Sequence, residues 1–162
     1  MSDEARPPEG PRFACDAMLA GLARWLRAAG YDACLHPDLD AAALVRLARD
    51  EGRTLLTTDT DIGRFPAVRA GLPVLRLSNH ASPQEQLAVV LHALGLPLGE
   101  PRCMACGGEL AEMTREQAEG RVPPRTLAWL DRFWECRGCD RAFWHGSHWQ
   151  RIREQLSRAA GL

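Results

Sequence analysis

Two sets of side chains in this sequence have the types and the spacing to do chemistry. The first is Cys103-Met104-Ala105-Cys106 and Cys136-Arg137-Gly138-Cys139, two C-x2-C pairs separated by 29 residues. Two-residue spacing lets both thiolates of a pair turn onto one ion. Two pairs then complete the tetrahedral sulfur shell of a structural zinc. Gly107, Gly108 and Gly138 supply the tight turns that such knuckles need. A shell closed by four protein ligands has no open position, so a zinc here holds the fold and leaves the chemistry to other residues. The competing reading is a pair of redox or disulfide motifs, although a single C-x-x-C suffices for redox work.

The second set is acidic. Asp16, then Asp38 and Asp40, then Asp59 and Asp61 each follow a short apolar run. If those runs are parallel strands, their carboxyl ends share one edge, where sheets of this kind bind ligands. Carboxylates gathered there repel one another unless a divalent cation neutralises them, and hard oxygen ligands select magnesium or manganese. Such an ion activates water and steadies the charge that builds on a phosphate under attack. The plainer reading is that these aspartates cap helices and start turns, for which Asp40 and Asp61 are well placed. One residue can serve both roles.

The elements that would position these groups are legible from periodicity. Phe13-Ala14-Cys15, Ala33-Cys34-Leu35, Thr54-Leu55-Leu56-Thr57 and Val74-Leu75-Arg76-Leu77 read as strands. Leu19, Leu22, Ala23 and Leu26 recur at helical spacing up to Gly30. A second helix is capped by Asp40, carries Ala43, Leu44, Leu47 and Ala48 on its apolar face, and closes at Gly52. Ser82-Pro83 opens a further helix through Leu87, Val90, Leu91 and Leu94. Strand–helix alternation of this kind predicts an α/β body over 12–96 with parallel strands covered by helices. A Pro- and Gly-containing linker at 97–101 leads into a zinc module at 101–152, where Phe133, Trp134, Phe143, Trp144 and Trp149 crowd the second knuckle. So small a module depends on metal and aromatics for its stability.

Bulk composition bounds the rest. Of the 162 residues 46% are hydrophobic and 25% charged, an ordinary globular balance. All 20 basic residues are arginine, so any phosphate contact would be made by a guanidinium fork. Residues 101–162 hold 10 arginines against 8 acids, whereas 1–100 hold 10 against 13; a weakly basic tail beside an acidic body is compatible with nucleic acid. No apolar run is long enough for a membrane span, and the polar, Pro-rich residues 1–11 read as a disordered lead without a secretory signal. Six cysteines in that setting predict a reducing, cytoplasmic location, with Cys15 and Cys34 as buried small hydrophobes.

Substrate contacts have weaker signals. Arg24 and Arg27 lie one turn apart on the first helix and could reach phosphates, or simply face solvent. His145 and His148, in His-Gly-Ser-His-Trp, could pack behind the zinc ligands or touch RNA. Trp134, Trp144 and Trp149 could stack on bases, although the small module also needs Trp134 and Trp144 for its core. Neither a Gly-x-Ser-x-Gly elbow nor a Walker-type phosphate loop is present.

Taken together, Asp16-Ala17-Met18-Leu19-Ala20-Gly21-Leu22-Ala23-Arg24-Trp25-Leu26-Arg27, Gly30-Tyr31-Asp32 and Leu55-Leu56-Thr57-Thr58-Asp59 resemble a PIN-like nuclease family. That family is named for the C-terminal RNase-like domain of the exonuclease Mut-seven. The likeness continues through Cys103-x-x-Cys106, Arg121-Val122-Pro123-Pro124-Arg125, Phe133-Trp134-x-Cys136-x-x-Cys139 and Trp144-x-Gly146-Ser147-His148-Trp149, so it covers about 12–152. It implies a three-layer α/β/α fold with a mostly parallel sheet, a zinc ribbon, and a metal-dependent ribonuclease. On this resemblance Asp16 is the first acidic position and Asp59 the Thr-x-Asp position. Asp40, or the adjacent Asp38, is the acid that opens the second helix, and Asp61 is a fourth acid. Arg24, Arg27, His148 and Trp149 are then candidates for RNA contact. Ala41-Ala42-Ala43 carries no acid where related PIN domains often place one, and Ser78-Asn79 carries no carboxylate after the fourth strand. The rival expectation is a non-catalytic RNA- or ribosome-binding adaptor built on a degenerate nuclease body. Nothing in the sequence identifies a protein partner.

Overall fold

The computed structural model describes residues 10–162. The lead expected at 1–11 lies, but for its last two residues, outside the described residues.

Four short strands, β1 (Phe13–Cys15), β2 (Ala33–Leu35), β3 (Thr54–Thr57) and β4 (Val74–Arg76), form one parallel sheet in the order β2-β1-β3-β4. Phe13 pairs with both Ala33 and Thr54, so β1 lies at the centre. Alternate side chains of a strand point to opposite faces, and both faces here are apolar. Phe13, Cys15 and Leu56 point to one face. They meet Leu22 and Leu26 of α1 (Ala20–Ala28), and Leu87 and Val90 of α4 (Pro83–Leu94). Ala14 and Leu55 point to the other, against Leu44, Val45 and Ala48 of α2 (Ala41–Glu51). The short α3 (Pro66–Arg69) completes that side through Ala67 and Val68. The expected fold class therefore holds, with a parallel sheet flanked by helices.

The helix ends follow the sequence closely. The Asp40 carboxylate accepts from Ala43 N at 2.8 Å and caps α2. Ser82 and Glu85 exchange the two bonds of a capping box around Pro83. Gly30, at φ 102°, ends the first helical segment where the linker passes so close that a Cβ would lie 2.8 Å from Glu100 O.

Beyond the linker, β5 (Leu110–Met113), β6 (Phe133–Cys136) and β7 (Ala142–Trp144) form an antiparallel sheet. Between β5 and β6 run α5 (Arg115–Ala118) and α6 (Pro124–Trp129). Its small core is Met113, Ala118, Val122 and Phe133, with Leu127, Leu130 and Trp144 packed around it. Val122 of the Arg-Val-Pro-Pro-Arg stretch is thus a core residue.

The chain then returns to the body. Helix α7 (Ser147–Ala159) places Ile152, Leu156 and Ala159 in the same core as Leu87 and Val90, with Trp149 packed at its edge. The sequence reading ended the second module at 152 and did not anticipate this helix. A second tie is Arg27, which is 6% exposed. Its guanidinium donates to Ala33 O at 2.9 Å, Met104 O at 3.1 Å and Ala105 O at 3.2 Å. Helix α1, the start of β2 and the first cysteine knuckle are held by that one side chain.

Candidate functional site

Strand β1 runs directly into Asp16, whose backbone leaves the ladder at φ −68°, ψ 164° and caps the 3-10 turn Ala17–Leu19. Its Oδ1 accepts from Met18 N at 2.9 Å. Its Oδ2 accepts from the Thr57 hydroxyl at 2.9 Å, Thr58 N at 2.8 Å and the Thr58 hydroxyl at 3.3 Å. Thr57 ends β3 and Thr58 follows it directly, so the carboxylate clasps two neighbouring strands. Thr57 is 2% exposed, and its oxygen also accepts from Asp59 N at 3.0 Å. One buried hydroxyl therefore links the two acidic loops.

Asp59 is held in turn. Its Oδ1 accepts from Asp61 N at 2.8 Å, and its Oδ2 accepts from Arg64 at 2.7 Å. Arg64 and the Asp61 backbone hold the Asp59 carboxyl below the usual carboxylate range, against a small opposing effect of burial. Asp16 and Asp59 line a single cavity of about 290 Å³ with Thr57, Thr58, Met18 and Leu44. It lies at the carboxyl ends of β1 and β3, where the order β2-β1-β3-β4 reverses direction. Such a switch point is where open α/β sheets bind ligands.

The structure separates the other two acids from this pair. Asp40 spends one carboxylate oxygen on its helix cap, and its neighbours Leu39 and Ala41 line the cavity while Asp40 does not. Asp61 also lies outside the cavity wall; its side chain is 79% exposed and stands 3.9 Å from Arg64. Among the described residues, no third carboxylate closes on Asp16 and Asp59 as a ready-made cage. Magnesium commonly uses only one or two carboxylates and keeps several waters, so two acids, two threonines and a roomy cavity suit a hydrated hard cation. Such an ion would have to share Asp59 with Arg64, or displace it.

The four cysteines do converge. All four sulfurs lie within 4.8 Å of one another, with Cys103 and Cys139 3.8 Å apart and Cys106 and Cys136 3.3 Å apart. A tetrahedron with metal–sulfur bonds near 2.3 Å has edges of about 3.8 Å, while a disulfide needs about 2.05 Å. The cluster can therefore hold a metal such as zinc. Gly108 N and Gly138 N each donate to a sulfur at 3.3 Å. A Cβ on Gly108 would sit 2.7 Å from Cys136 Sγ, so only glycine fits there. Cys15 is different: burial pushes its thiol up to about 12 and leaves it inert in the core.

The residues expected to contact substrate divide. Arg24, His148 and Trp149 line one groove of about 620 Å³ between α1, the first knuckle and the start of α7. Arg27 does not reach it, being buried in its carbonyl contacts. The sequence assigned no role to Thr57, Thr58 or Arg64, which organise the acids. For the two threonines the signal was a Thr-Thr pair at a strand end directly before an acid, a spacing suited to hydroxyl–backbone turns.

These features define an α/β protein with acids at its switch point and a cysteine-held sheet attached. The chain belongs to the Mut7-C RNAse domain family, whose model matches residues 11–156. That membership supports a nuclease-like function and points to RNA as the substrate class. No curated protein and no solved structure matches the chain. Among the described residues, no helix is long and apolar enough to cross a membrane.

Proposed function

We propose that this protein is a metal-dependent ribonuclease that hydrolyses RNA phosphodiester bonds at the Asp16–Asp59 cavity. The observation that carries the reading is the pairing of these two carboxylates in one cavity at the switch point, joined through Thr57. Asp16 and Asp59 would hold magnesium or manganese there, and the bound ion would supply an activated water and charge stabilisation at the phosphate. Asp16 keeps its orientation through Met18 N, Thr57 and Thr58, and so needs no rearrangement to present its charge. Arg64 neutralises Asp59 between turnovers and becomes free for a substrate phosphate when it lets go. Asp61 and Asp40, set back from the cavity, bias the edge toward cations and orient outer waters. Zinc in the cysteine cluster fixes the second sheet and thereby the groove that orients RNA. Six reduced cysteines suit the cytoplasm.

The test is cleavage of varied RNAs with manganese by the wild type and by Asp16→Asn. Cleavage by the wild type alone supports the reading; equal cleavage by both, or none by either, overturns it. One observation favours an adaptor instead, namely that the Arg64 pair already neutralises Asp59 without a metal. RNA binding that ignores magnesium and survives Asp16→Asn, with no cleavage, would select the adaptor.

A further inference from the structure

A second cavity, larger than the one that holds the acids, lies apart from them. It is the groove of about 620 Å³ whose wall contains Arg24, Arg102, Arg125 and Arg141 and, among the described residues, no aspartate or glutamate. In a chain of net charge −1 this is a local concentration of one sign of charge. Among the described residues, Arg24, Arg125 and Arg141 form no ion pair. Arg102 is fixed by donating to Gly107 O at 2.8 Å.

The remaining wall is aromatic and partly prebuilt. His145 lies between Trp134 and Trp149, with ring centroids 4.2 Å and 5.2 Å away and interplanar angles of 24° and 14°. Burial, with Arg153 and Arg132 nearby and Glu100 opposing, holds the His145 pKa below its ordinary value, so the middle ring stacks as a neutral plate at pH 7. Trp149 Nε1 is a buried donor that finds no hydrogen-bond acceptor among the described residues. Trp129, at the end of α6, is 86% exposed beside these groups. A large aromatic left in water at the rim of a cationic groove is a platform for a flat partner.

We propose that this groove seats an unpaired segment of single-stranded RNA, its bases stacking on Trp129 and against the Trp134–His145–Trp149 column and its phosphates lying on Arg24, Arg125 and Arg141. The assignment deepens the ribonuclease reading and rests on it for the choice of RNA. Guanidinium groups on an apolar, acid-free wall fit a polyanion that also presents ring faces. An acidic peptide would use the charges but leave the exposed ring idle. A pocket of this size takes splayed bases, whereas a duplex keeps its bases stacked inside and offers only backbone. The groove and the acidic cavity both take lining residues from one continuous segment. Met18 lines the cavity and Arg24 the groove, six residues further on, a rise of roughly 9–10 Å.

The test is binding of a fluorescent twelve-nucleotide single-stranded RNA without added magnesium or manganese, read by anisotropy and by quenching of tryptophan emission. The proteins compared are the full-length wild type, Trp129→Ala and Arg125→Ala; both side chains are exposed, so the fold is expected to survive. The proposal expects the wild type to prefer the single strand to the matching duplex. It expects Trp129→Ala to weaken binding roughly tenfold. It expects Arg125→Ala to lower the salt dependence by about 0.7 in the log–log slope. Equal affinity for duplex, unchanged affinity in both variants, or an acidic peptide of equal charge competing as well as RNA would overturn it. Because no catalytic metal is added, the outcome is separable from the ribonuclease reading. Weakened variants with no cleavage by any protein sustain the groove and remove the enzyme; intact binding in both variants with cleavage lost only in Asp16→Asn does the reverse.

Discussion

The Thr57 hydroxyl donates to Asp16 Oδ2 at 2.9 Å, and this bond joins the carboxyl ends of β1 and β3. Because the same oxygen accepts from Asp59 N, removing it disturbs both acids at once. Thr57→Val keeps the volume and deletes the hydroxyl. It should cost about 1–3 kcal/mol in urea unfolding, since a charged acceptor loses a buried partner. Manganese affinity should fall by roughly 10–100-fold, as when outer supports of metal ligands are lost. Calorimetric manganese titration of the folded variant checks this.

Arg64 makes the acidic cavity sensitive to pH. Its guanidinium holds the Asp59 carboxyl below the usual range, so the folded pKa lies under the unfolded value near 4. The stability this pair contributes is fully present above that unfolded value and is lost as pH falls through the folded one. The stability gap between wild type and Asp59→Asn should therefore be constant near neutrality and close in strong acid. Arg64→Gln should raise the Asp59 pKa, which carboxyl NMR titration reads directly, and should tighten manganese binding by removing a competing cation.

Acid should also empty the cysteine cluster, because a thiol must lose its proton to ligate zinc. Purified protein is expected to carry one zinc per chain, released as pH falls, with near-ultraviolet circular dichroism of the tryptophans collapsing in step. Gly108→Ala should reduce zinc content without touching a ligand, since its Cβ would stand 2.7 Å from Cys136 Sγ. Full zinc occupancy in that variant would contradict the geometry.

Arg27 ties α1 and the start of β2 to the first cysteine knuckle through three carbonyl acceptors. Arg27→Met fills similar space but offers no donor, and should destabilise the protein by about 2–3 kcal/mol. Hydrogen exchange should accelerate first around 102–106, where the knuckle loses its anchor. RNA affinity that changes while exchange there does not would return Arg27 to the substrate-contact role first expected of it.

How much of this was legible follows from the range of each signal. The four body strands, and the helices opened by Asp40 and Ser82, were readable because periodicity and caps are local. The cysteine pairs were readable because ligand spacing is local too. Helix α7 had a signal in Trp149, Ile152, Leu156 and Ala159, but the aromatic crowding beside it drew Trp149 and Ile152 into the zinc module and left the other two unassigned. Asp40 and Asp61 read both as caps and as ligands because strand-end position says nothing about which way a side chain turns. Arg27 looked like its neighbour Arg24 for a similar reason. Only the packed knuckle shows that one is buried and the other open.

The most direct measurement is the anomalous scattering of a crystal soaked in manganese. The account predicts a peak in the cavity at the ends of β1 and β3, within bonding distance of both Asp16 and Asp59, with Arg64 drawn away from Asp59. A peak that contacts only Asp40 or Asp61, or an empty cavity at manganese concentrations that support RNA cleavage, would contradict it.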